Sequence, residues 1–224
     1  MHIHMLALQA SNLSDLHRFY AHTLNFAVDG FTESQLAVRC GSSRLIFNRA
    51  DEPVVPAHFA FNIAEAHHVE VFGWLRARVD FIALDGADEF FSTDWNAHMV
   101  YACDPAGNII EFIARHTLVD GATAGASNDA PINAAGLASC ISEIGIACDD
   151  VPATARAWSQ IFSTSAYGET NGNFYPIGDE HGLLIIVPKG RIWFPNTGVA
   201  ARAAPVTAHI DAHVLSGPPY GARS

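Results

Sequence analysis

One order of elements recurs along this chain, and that repetition constrains the fold more than any other feature. Ile3–Gln9 reads as a strand, and Asn12 or Ser14 can cap the helix that follows, because a short polar side chain satisfies the free N–H groups of a first turn. Leu16, Phe19, Tyr20 and Leu24 recur at three and four residues and form one helical face. Asp29-Gly30 reads as a turn, and Gln35–Cys40 and Arg44–Phe47 as strands joined through Gly41-Ser42-Ser43. The order then restarts. Ala57–Ile63 reads as a strand and Glu65–Val79 as a helix with Val69, Phe72 and Leu75 on one face. Short strands follow at Phe81–Leu84, Phe90-Phe91 and His98–Cys103, and Ile109–Arg115 returns after the turn Asp104-Pro105-Ala106-Gly107-Asn108. A third round opens at Ile141–Ile146, and Val206–His209 echoes Val55–His58.

These rounds divide the chain into paired modules over 1–116, a linker over 117–135, a third module with the first strand of a truncated fourth over 136–215, and a loose tail over 216–224. The fold class that follows is α+β. Repeated βαβββ modules form a curved, mostly antiparallel half-barrel sheet around a concave pocket, with the helices outside.

Half of the 224 residues are hydrophobic, enough for a substantial core, and the net charge of −11 comes with no cluster of Lys and Arg that would bind nucleic acid. No apolar run approaches the length of a membrane helix, and Met1-His2-Ile3-His4 lacks the basic and apolar regions of a secretory leader. Cys40, Cys103, Cys140 and Cys148 form no CxxC pair and read as buried reduced thiols. The expected location is cytoplasmic. Nucleophile elbow, phosphate-binding loop and dinucleotide fingerprint are all missing from the sequence.

The run Leu13–Phe26 (LSDLHRFYAHTLNF) resembles the first helix of the glyoxalase, bleomycin-resistance and extradiol-dioxygenase proteins, the vicinal oxygen chelate superfamily. Asp104–Phe112 (DPAGNIIEF) resembles its closing hairpin. Asp88–Phe90, Trp95–His98 and Gly178–Gly182 are similar to an uncharacterised bacterial glyoxalase-like group within it. The resemblance implies a divalent metal (Fe, Mn, Ni, Zn or Mg) held by two His and one Glu, with open positions for two neighbouring oxygens of a small-molecule substrate. His58 and Glu111 occupy two of the family positions. Strand alternation independently turns Glu111 away from Ile110 and Phe112. The third position falls on Met5, a poor ligand for hard cations; the neighbouring His4 serves if a bulge turns it inward.

His58 and Glu111 therefore allow two readings, a metal site or a hydrogen-bonded pair. His98 is a substitute ligand or catalytic group, and Tyr101, on the opposite face of its strand, a hydrogen-bond donor or acid. The third module has Glu143 at the first-strand position and His209 echoing His58 but no matching final Glu. It reads as a structural half that covers the pocket or mediates a homodimer. His67-His68 reads as solvent-exposed. Two functions follow: a metal-dependent lyase, isomerase or ring-cleaving dioxygenase, or a metal-free cup that sequesters a drug among Phe59, Phe61, Phe91 and Trp95.

Overall fold

A computed structural model describes residues 1–118, 138–218 and 220–223; residues 119–135 of the expected linker lie outside the described residues. The first module comprises β1 (Ile3–Ala10), α1 (Leu13–His17), β2 (Ala27–Phe31), β3 (Gln35–Cys40) and β4 (Ser43–Arg49). The second comprises β5 (His58–Ile63), α2 (His68–Arg76), β6 (Phe90–Ser92), β7 (Ala97–Cys103) and β8 (Ile109–Arg115). The third has β9 (Ala138–Cys148), α3 (Val151–Ile161), β10 (Tyr175–Asp179) and β11 (Gly182–Pro188), and the chain continues into β12 (Val206–Ile210), β13 (His213–Gly217) and β14 (Gly221–Arg223). The result is an open α+β sheet, strand-rich and with few helices.

In each full module the first strand pairs in parallel with the last, β1 with β4, β5 with β8 and β9 with β11, and the intervening helix makes the crossover. Between modules the pairing is antiparallel, and it does not follow chain order. β5 pairs with β9, and β1 pairs with β12. The second module thus shares its sheet with the third. The first shares its own with the strands after Val206. The sequence predicts paired modules over 1–116; here the first strand of the second module pairs instead with that of the third. β1 and β9 meet only at Ile3 and Ile141, where the buried Ser43 hydroxyl donates to the Ile3 carbonyl (2.6 Å) and accepts from the Ile141 N–H (2.9 Å).

The two sheet faces carry separate cores. On the helix side, Leu13 and Leu16 of α1, Val71, Phe72 and Leu75 of α2, and Trp158 of α3 pack on the strands. Val69, expected on the buried face of α2, is exposed, and Val71 takes its place. On the other face Ala60, Met99, Tyr101, Ile113, Ile185 and Trp193 pack together. At the turn after β7, the Asp104 carboxylate accepts from the N–H groups of Ala106 and Asn108 and from the Tyr20 hydroxyl (3.0 Å), locking the first module's helix region onto the second module's hairpin. Burial pushes this carboxyl up to about 6 against those stabilising hydrogen bonds.

Other local expectations resolve differently. Asp29-Gly30 lies inside β2 at an irregular register, and Arg39 on β3 and Arg44 on β4 both hold the Asp29 carboxylate. Phe81–Leu84 makes only isolated bridges, to Ala102 and Ala87. Residues 216–224 were expected to be a loose tail. Instead Gly221–Arg223 adds a strand to β13, and the Tyr220 hydroxyl donates to the Ala204 carbonyl (2.8 Å). All four cysteines are free; Cys40 and Cys140 are buried, whereas Cys103 is exposed.

Candidate metal centre

Strand register assembles the site. Ala60 on β5 lies between Glu111 of β8 on one side and Glu143 of β9 on the other. Tyr101 of β7 lies opposite Glu111, and Leu183 of β11 lies beside Glu143. Tyr101, Glu111, Ala60, Glu143 and Leu183 therefore form one row across five strands. The alanine side chain leaves the space between the two carboxylates open. His58, two residues before Ala60, shares its face. One ligand atom from each of His58, Glu111 and Glu143 lies within 4.8 Å of the other two, and all three residues are buried.

A β-bulge aims Glu143. Ala60 pairs with Glu143 but Phe61 pairs with Ile141, so Ser142 is an extra residue on β9. Ile141 and Ile144 pack in the helix-side core, and Glu143 and Gly145 face the pocket. Gly145 is needed there: a Cβ would lie 2.6 Å from the Trp193 ring and 3.0 Å from the His58 Cβ. Trp193 can therefore settle against His58, with ring centroids 4.9 Å apart. It arrives on the loop after β11, which Gly190, Arg191, Trp193, Val199 and Ala201 close by backbone hydrogen bonds.

The electrostatics are those of a buried acidic site. The His58 Nδ1 lies 3.2 Å from the Ile109 carbonyl, so this nitrogen carries the proton and Nε2 presents its lone pair 3.6 Å from Glu111. Burial pulls His58 down to about 4, against the Ile109 hydrogen bond, and the Arg191 charge pulls the same way. Burial raises Glu111 well above the carboxylate range, with the Glu143 charge adding to it. Burial also lifts Glu143 up to about 7, against the pull of Arg115. Arg115 is fully buried and donates to Glu143 (2.5 Å) and to the Asn62 side-chain oxygen (3.2 Å). Its guanidinium lies 5.2 Å from the centre of the Trp95 ring. Burial and the Glu111 charge also push the Tyr101 hydroxyl well up. His58, Tyr101, Glu111 and Glu143 line a pocket of about 340 Å³ whose walls are aromatic, among them Phe90, Trp95, Phe174 and Phe194.

Of the residues singled out in the sequence, His58, Glu111 and Tyr101 meet in this pocket. His4 does not. A bulge does lie between Ile3 and Met5, yet His4 is exposed and stacks on His2 at 5.5 Å. By that bulge Met5 matches Glu143, and its partner His209 matches Ala60 rather than His58; Thr207 falls where His58 would be. The half built on β1 and β12 thus lacks the ligand set. His98 points to the opposite face of β7 from Tyr101. It stacks on His68 at 4.8 Å, approaches His116 to 2.8 Å, and His116 contacts Glu65 at 2.7 Å. His67 and His68 are half-buried, not exposed. Glu143, Arg115, Arg191 and Trp193 were not assigned to the site from sequence. The third module, expected to be structural, supplies part of its floor and wall.

No family model matches the sequence, and no curated protein matches it. Among solved structures, the chain is similar to a Bacillus subtilis protein named as a presumed dioxygenase, with a TM-score of 0.62 at 14% identity. The match covers 84% of this chain and 63% of that one, so the chain spans less than two thirds of that protein's length. A lactoylglutathione lyase from Agrobacterium tumefaciens matches 50% of this chain and 92% of its own, at 20% identity and a TM-score of 0.42. A glyoxalase/bleomycin resistance protein/dioxygenase from Nocardioides matches 54% of this chain and 85% of its own, at 20% identity and a TM-score of 0.41. The module order, the sheet and the 0.62 structural match show that the chain shares the fold of the Bacillus subtilis protein over most of its length.

Proposed function

We propose that the pocket between the second and third modules is the active site of a divalent-metal enzyme acting on a small substrate with two neighbouring oxygens. The metal ligands in this reading are His58, Glu111 and Glu143. The observation that carries it is the convergence of one imidazole and two buried carboxylates at the floor of an aromatic pocket. Two carboxylates buried side by side are costly to ionise unless a cation lies between them. Of these two carboxylates, Arg115 pairs with Glu143 alone. One imidazole and two carboxylates suit Fe, Mn, Zn or Ni. The bound metal would supply a Lewis acid for the two substrate oxygens.

The chain's own residues complete the site. The Ile109 carbonyl fixes the His58 tautomer, and Arg115 fixes one oxygen of Glu143 and leaves the other for the pocket. Tyr101, held protonated by its buried place beside Glu111, is the group that can give a proton to a substrate oxygen or hold it by a hydrogen bond. Trp193 and the other aromatic walls exclude water and bind the apolar part of the substrate. The reaction within the lyase, isomerase and dioxygenase classes rests on the substrate.

The carboxylates must shed protons to bind a metal, whereas His58 is already neutral above about pH 4. Glu143 titrates near 7 in the metal-free protein and Glu111 above the carboxylate range. Metal affinity will therefore rise about tenfold per pH unit for each proton displaced as pH increases toward 7, with protons released on binding. Calorimetric titration with Zn²⁺ or Mn²⁺ in buffers of different ionisation enthalpy measures both. Pocket binding that is independent of pH between 5 and 8 and releases no proton would sink the reading. Ligand binding by a protein that takes up no metal would instead favour the sequestering cup.

A further inference from the structure

Arg191 is the charged group in the pocket wall to which the metal reading gives no role. It sits on the loop after β11, three residues past Pro188, and lines the same pocket as His58, Glu111 and Glu143. It is half-buried, and its guanidinium lies 5.1 Å from the centre of the Phe174 ring. Among the described residues its side chain has no ion-pair or hydrogen-bond partner, although the chain as a whole is strongly acidic. The loop that carries it is pinned: the Arg191 carbonyl accepts from Ala201 at 2.7 Å, and Trp193, two residues on, is wedged over Gly145. Its charge reaches the pocket floor, where it helps depress His58. The other arginine at the site, Arg115, is already engaged by Glu143 and Asn62.

An unpaired guanidinium stacked on an aromatic ring in a concave apolar pocket has five fixed donors to offer and no acceptor to take them. A carboxylate matches that fork with two parallel hydrogen bonds. Charge favours a monoanion, since Arg191 is a single cation and the floor already holds two acidic groups. The walls, Phe90, Trp95, Phe174, Trp193 and Phe194, suit a flat apolar body.

We propose that the pocket selects small aromatic carboxylates, with the carboxylate held by Arg191 over Phe174 and the ring enclosed by the aromatic walls. The placing of the substrate's neighbouring oxygens at the floor rests on the metal reading above; the Arg191 contact does not.

The test uses mandelate and its neutral counterpart 1-phenylethane-1,2-diol as probes, titrated against the fluorescence of the pocket tryptophans Trp95 and Trp193. Metal-loaded and chelator-treated full-length protein are measured side by side, with metal content determined on each sample. Mandelate will bind at least about tenfold tighter than the diol. Arg191→Gln will abolish that preference by weakening mandelate while leaving the diol within about twofold, and Arg191→Lys will restore part of it. Equal affinities in the unaltered protein, binding of neither probe, or an Arg191→Gln variant that weakens both probes alike would each overturn the proposal. A preference that persists in metal-free protein upholds Arg191. Failure to load metal counts against the metal centre alone.

Discussion

Arg115→Met is expected to destabilise the protein by about 3–5 kcal/mol at pH 8, the usual result of removing one partner of a buried ion pair. Arg115 is fully buried, Glu143 is 2% exposed, and they meet at 2.5 Å. Methionine fills much of the same volume, so the loss is of charge and hydrogen bonds rather than of packing. The Asn62 side-chain oxygen loses a donor as well. The effect has a pH signature. Arg115 holds Glu143 down against the upward push of burial. Without it the folded-state pKa climbs further above the unfolded value. A carboxyl raised on folding contributes least when ionised, so stability falls as pH rises from the unfolded pKa through the folded one. The deficit of the variant will therefore be larger at pH 8 than at pH 5. Urea unfolding at the two pH values measures it; a deficit under about 1 kcal/mol at both would mean that Arg115 is not what compensates the buried carboxylate.

Glu111→Gln is expected to move metal affinity and stability in opposite directions. The amide is a far weaker ligand than the carboxylate, and affinity will drop at least about 100-fold. The metal-free variant will nevertheless be more stable than the parent at pH 8, by about 1–2 kcal/mol, because a neutral amide replaces a carboxyl whose charge is costly to bury. The sign follows from the raised pKa of Glu111: its contribution is intact below the unfolded carboxyl pKa and is lost as pH rises toward the folded value. The gain should shrink by pH 5. A variant that binds metal as tightly as the parent, or that is less stable at pH 8 than at pH 5 relative to it, would contradict this account of the floor. Such opposition is expected where a site is built for a ligand rather than for the fold.

Much of this was legible in the sequence. The module repeat is written in helical and strand periodicity, and the Asp104–Asn108 turn in its Pro and Gly. Glu111 was readable from alternation alone, because Ile110 and Phe112 flank it and take the helix-side core. His58 and Tyr101 followed from strand phase and resemblance. What failed was long range. Adjacency in the chain suggested that the first two modules share a pocket, yet β5 pairs with β9, and nothing local to either strand specifies that partner. The resemblance put the third ligand on the first strand of the first module, at Met5 or the neighbouring His4. A one-residue bulge decides which face a strand side chain takes, and the bulges at Ser142 and before Met5 leave no mark in composition. Arg191 and Trp193 sit on a loop without periodicity, and only the close approach permitted by Gly145 brings that loop into the site.

In the metal reading Glu143, not His4, completes the site with His58 and Glu111. The most direct test is the metal content, by inductively coupled plasma mass spectrometry, of untagged protein reconstituted at pH 8, comparing the parent with Glu143→Gln and His4→Ala after circular dichroism has shown each to be folded. About one equivalent of metal is expected in the parent and in His4→Ala, and its loss in Glu143→Gln. Metal retained in Glu143→Gln, metal lost in His4→Ala, or a parent that takes up none would contradict it.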